Sequence, residues 1–186
     1  DRPSIGAWSL YGLGSANANL PAFLTMNLHS DGMQFPQAAG WSSGFLPARH
    51  QATVVDPARG IRHTALPDGT DTARRHHELD LIRQLNERHL KTVGPQNELE
   101  ARLRSYELAF RMQTAAPELF DLSKETETTH KQYGLDQPTT RSVAQGCLLA
   151  RRMVERGVRF VQVRVGGWDA HGNIKANHTR QCARID

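Results

Sequence analysis

Val158-Arg159-Phe160-Val161-Gln162-Val163-Arg164-Val165, followed at once by Gly166-Gly167-Trp168-Asp169-Ala170-His171-Gly172-Asn173, is the stretch on which the fold class turns. Its first half combines β-branched content with partial alternation, the pattern of a strand. Immediately upstream, residues 139–156 place Val143, Cys147, Ala150 and Val154 on one helical face, open with Pro138 in the first turn, and close with Arg151, Arg152 and Arg156 before Gly157. Proline at the start, cations at the end and a glycine beyond them agree on a helix. Cys147 is then expected as a buried, unreactive thiol on the apolar face. A helix joined through one glycine to a strand, with a second helix candidate following, has an αβα rhythm. Residues 137–186 therefore read as helix, strand, loop and helix on an α/β sheet covered on both faces.

Ligands of such sheets sit beyond the carboxyl ends of the strands, which is where residues 166–173 fall. In an extended loop, residues two apart point to one side, so Asp169 and His171 direct a carboxylate oxygen and an imidazole nitrogen at one ion. That donor mix suits zinc or manganese. Gly166, Gly167 and Gly172 permit sharp turns around the ion, and Trp168 shields one side. His178 is either a further ligand or an outer partner of the ligands, or, as the favoured reading, a histidine of the helix surface. The same residues also fit a solvent-exposed turn in which Asp169 accepts backbone amide hydrogen bonds.

Elsewhere the apolar spacing of residues 3–14, ended by glycines, predicts a short helix. The compact apolar run Leu20-Pro21-Ala22-Phe23-Leu24-Thr25-Met26-Asn27-Leu28 predicts a buried strand with proline at its start. Residues 30–71 have loop chemistry anchored by Trp41, Phe45 and Leu46, with one short strand across residues 51–55. A loop this long is expected to border an active site. Residues 71–92, carrying Leu79, Ile82 and Leu85, and residues 96–115, carrying Leu99, Leu103, Tyr106 and Phe110, read as amphipathic helices. Gly94-Pro95 between them makes residues 71–115 a helical hairpin on the outside of the domain. His76, His77, Glu78 and His89 lie on its charged side and read as a solvated face. His29, Ser30 and Asp31 follow a strand without a nucleophile motif, and His50 and Gln51 carry the same weight.

The composition, with 38% hydrophobic and 23% charged residues in 186, is that of an ordinary globular domain. A net charge of +4 spread over helix and strand candidates lacks the dense basic block of a nucleic-acid footprint, and 6% aromatic residues supply few stacking platforms. No apolar run approaches the ~20 residues of a membrane span. Cys147 and Cys182 form no CxxC and say little of redox compartment.

Several separated blocks occur in order: Ser4-Ile5-Gly6-Ala7-Trp8 with Tyr11-Gly12-Leu13-Gly14, Leu20-Pro21-Ala22-Phe23, and Gly44-Phe45-Leu46-Pro47-Ala48 with Gln51. Tyr133-Gly134-Leu135, Cys147-Leu148-Leu149-Ala150-Arg151-Arg152, Glu155-Arg156-Gly157-Val158-Arg159-Phe160-Val161 and Trp168-Asp169-Ala170-His171-Gly172 continue the series. Together they resemble a bacterial sulfatase-like family, catalogued as domain of unknown function number fifteen hundred and one, over nearly the whole chain. The resemblance implies the alkaline phosphatase superfamily: a large mixed sheet between helices, divalent metals beside a nucleophile, and hydrolysis of phosphate or sulfate esters.

On that resemblance residues 1–186 are a single partial domain, an internal fragment of an α/β/α fold incomplete at both ends. The nucleophile and first metal ligand are expected before Asp1, and a further Asp-His ligand pair after Asp186, so the fragment alone is expected to be inactive. Asp169 and His171 match a ligand position, with His178 and Trp168 as candidate outer partners. The residues between Gly166 and Trp168 are fewer than in many relatives. The implied cofactor is zinc, manganese or calcium, the implied substrate a small-molecule or polysaccharide ester, and the implied location periplasmic or secreted. An exported binding protein that keeps the fold without catalysis is the alternative. Unpaired sheet edges predict aggregation of the fragment expressed alone.

Overall fold

The computed structural model describes residues 2–28, 40–58, 72–94, 106–108, 111–112 and 118–186. Three strands, β1 (Phe23–Asn27), β2 (Thr53–Val55) and β3 (Phe160–Arg164), form a parallel sheet in the order β2-β1-β3. Among the described residues, the helices with both ends defined are α1 (Ile5–Leu13), α2 (Thr72–Val93), α3 (Glu127–Tyr133), α4 (Arg141–Glu155) and α5 (Ile174–Ile185), and residues 106–108, 111–112 and 118–120 are helical too. The protein is thus α/β, a parallel sheet with helices on its faces. None of the described helices is long and apolar enough to cross a membrane.

β1 is central and nearly continuous in apolar residues, as a strand buried on both faces requires. Alternation along it divides the core. Leu24 and Met26 point to one face, where they pack with Val55, Leu149, Met153 and Val158. Phe23 points to the other and joins Leu10 of α1, Trp41 and Ala52. α4 and α1 therefore lie on opposite faces. Each large apolar side chain so buried contributes about 1.5–3 kcal/mol. The register Phe23↔Phe160 through Asn27↔Arg164 sets Thr25 beside Gln162, whose amide oxygen accepts from the Thr25 hydroxyl at 3.4 Å.

Helix ends follow their residues. Ser4 caps α1 by accepting from the Ala7 amide, and Thr126 caps α3 by accepting from Thr129. α4 ends in a Schellman motif: Gly157 donates to Val154, Val158 donates to Met153, and Gly157 adopts φ 86°. Val158 is buried against Met153, so the stop of the helix and the start of the β3 segment share one apolar contact.

The predicted helix–strand–loop–helix is present, with two corrections. The buried face of α4 is Val143, Ala144, Leu148, Leu149, Arg152 and Met153, not the stripe through Cys147 and Val154, both of which are exposed. The shift arises because Arg152 goes inside: its guanidinium donates to Glu125 at 2.8 Å and to the Glu118 carbonyl at 2.7 Å. Pro138 lies in the turn before Arg141 rather than in the first helical turn. In the loop between β1 and β2, Trp41 and Leu46 are buried as expected but Phe45 is 70% exposed. α2 is present with Leu85 exposed, whereas the predicted partner helix 96–115 and His29, Ser30 and Asp31 lie largely or wholly outside the described residues.

Candidate metal centre

Because the strands are parallel, their carboxyl ends share one edge of the sheet. Asn27 ends β1, Asp56 follows β2, and Arg164 ends β3 on that edge. Residues 165–173 leave it without regular structure and hand the chain to α5. Two backbone positions shape this passage. Gly167 takes φ 92°, and a Cβ there would collide with the amide of Gln181, a side chain only 1% exposed. Asn173 takes the left-handed conformation at the N-cap of α5, a role asparagine tolerates better than most residues.

The loop is tied down on its α5 side. His178 donates from Nε2 to the Trp168 carbonyl at 3.0 Å, with the two rings 6.0 Å apart, and Asn177 donates to the Gly172 carbonyl at 2.7 Å. Arg184 donates to Gln181 at 2.8 Å and to the Leu28 carbonyl at 3.2 Å, while the Leu28 amide donates to Arg164. α5 is thereby fastened to the strand ends from which the loop departs.

On this frame Asp169 Oδ2 and His171 Nε2 approach to 3.3 Å, with side chains 73% and 83% exposed. Two donors each about 2.1 Å from one tetrahedral ion stand about 3.4 Å apart. That separation is the one of an exposed His–Asp ion pair and equally the one of two ligands of a common ion. Among the described residues no group of three or more His, Cys, Asp and Glu side chains converges. The histidine at 178 reaches the backbone of the loop rather than Asp169 or His171, which makes it a support for loop shape. Trp168 is 40% exposed and faces His178.

Asn27 was not singled out from sequence, and the signal was there: it is the polar residue that ends an apolar strand. Its Oδ1 is buried without a hydrogen-bond partner among the described residues, on the same edge as the Asp169 loop. A buried acceptor left unmade costs about 1–3 kcal/mol, so a donor or a cation at this edge would be stabilised by it. The other histidine candidates are elsewhere: His77 and His89 are exposed on α2, and buried His50 accepts from Arg49 at 3.2 Å in front of β2.

The family model described as "Protein of unknown function (DUF1501)" matches residues 1–186, and the chain belongs to that family. Neither the curated proteins nor the solved structures gave a match.

Proposed function

We propose that this chain carries part of the divalent-metal site of an exported hydrolase of phosphate or sulfate esters, of the alkaline phosphatase kind. The observation that supports the reading is the 3.3 Å approach of Asp169 to His171 on a loop at the carboxyl edge of a parallel sheet. Asp169 would hold the ion through a carboxylate oxygen and offset its charge, and His171 would bind it as a neutral imidazole through Nε2. His178 fixes the loop by its hydrogen bond to Trp168, so the two donors keep their spacing. Exposure of both side chains leaves a face open to substrate. When bound, a divalent ion supplies charge neutralisation to an in-line displacement at phosphorus or sulfur and lowers the pKa of the attacking group.

The test is hydrolysis of an aryl phosphate and an aryl sulfate by the full-length gene product, with and without chelator. Asp169→Ala/His171→Ala is expected to lower kcat/KM at least about a hundredfold. Unchanged turnover in that double variant contradicts the reading. Stoichiometric metal with no turnover of either ester leaves the non-catalytic binding protein.

A further inference from the structure

Opposite the carboxyl edge, the amino ends of β1 and β2 open onto a cavity of about 980 Å³. Its wall runs from the end of α1 through the connection into Phe23, across the turn Ala48–His50 before β2, to Tyr106, Leu108 and Arg111. The volume is in the range of sites for small organic molecules. Among the described residues the charged side chains that line it are Arg49 and Arg111, with no Asp or Glu. Arg159 adds a further cation at this end, donating to the Gly14 carbonyl at 3.4 Å, where α1 would otherwise present its partly negative terminus. Asn17, also on the wall, is committed to the scaffold through a 2.6 Å hydrogen bond to the Arg156 carbonyl. Leu108, partly exposed, supplies apolar wall, and Tyr106 an exposed ring.

We propose that this cavity is a second binding site, for a small organic anion with an apolar or aromatic body and one carboxylate, sulfate or phosphate group. Arg49 and Arg111 take the anionic group, and Leu108 and Tyr106 take the body. The site is separate from the Asp169–His171 loop, because the amino and carboxyl ends of parallel strands lie at opposite edges of the sheet. It does not depend on the metal reading.

The experiment is calorimetric titration of the full-length protein with phenyl phosphate, with inorganic sulfate as the arm that lacks the apolar body. The chelated protein is used so that hydrolysis does not enter. Saturable binding of phenyl phosphate, tighter than sulfate, is expected. It should weaken at least about tenfold in Arg49→Gln/Arg111→Gln, persist in Asp169→Ala/His171→Ala, and weaken with rising salt. Circular dichroism of the arginine variant separates lost binding from lost fold, and Arg111→Gln alone, at an exposed position, serves if the double variant unfolds. Absence of saturable binding to the wild type, or binding that the arginine variants leave unchanged, overturns the proposal. So does binding lost only in the Asp169/His171 variant.

Discussion

Arg152 sits on the inner face of α4 with 5% of its surface exposed, and Glu125 answers it at 2.8 Å while also accepting from Arg151 at 2.9 Å. Burial by itself would raise the Glu125 carboxyl, but the hydrogen bonds and charges of the two arginines hold it below the usual 4.5. A carboxyl depressed in the folded state stabilises fully above its unfolded pKa and loses that contribution as pH falls through its folded one. Glu125→Gln should therefore be less stable than wild type at pH 7, and the gap should close as the pH drops below about 4.5. Urea unfolding at a series of pH values measures it. Glu125→Ala, which strands a buried guanidinium, should cost about 3 kcal/mol at neutral pH. At Gly167 a side chain meets both a positive φ and the buried Gln181 amide, so Gly167→Ala should destabilise the protein and weaken any metal bound by the loop. The residues 169 and 171 were legible as a pair because a two-residue spacing after a strand is a local geometric fact. Arg152 was not, because a cation turned inward by a partner 27 positions away leaves no local mark, and Cys147 was misplaced for the same reason.

At the scale of the element, the turn from α4 into β3 was the most readable feature, since start, stop and strand signals lie within one short segment. The Schellman closure at Gly157 gives it a measurable weight: Gly157→Ala should cost about 1 kcal/mol, read from thermal or chemical unfolding. Leu149, fully buried between α4 and β1, should cost about 3 kcal/mol as Leu149→Ala. The strand β1 was legible as a buried run, but which face each residue takes was not. That depends on α1 and α4 arriving from distant sequence, one over Phe23 and the other over Leu24 and Met26. Phe45 was expected to anchor its loop, and instead meets Trp8 of α1 edge to face at 5.7 Å, exposed. Size and apolarity alone do not say whether a loop aromatic reaches the core.

At the scale of the molecule, the three parallel strands of the described residues turn all their carboxyl ends to one edge, and the order β2-β1-β3 was not readable because pairing between strands over a hundred positions apart has no local signature. The fold class was readable, because it needs only the alternation of helix and strand. That edge gathers the Asn27 oxygen, buried without a partner among the described residues, and the loop bearing Asp169 and His171, while the basic cavity occupies the other. The measurement that bears most directly on the central claim is elemental analysis of zinc, manganese, calcium and magnesium in the full-length protein, purified without chelator, beside its Asp169→Ala/His171→Ala variant. A stoichiometric divalent ion in the wild type that is lost from the variant is the predicted result. Equal metal in both proteins, or none in either, would contradict a metal site at Asp169 and His171.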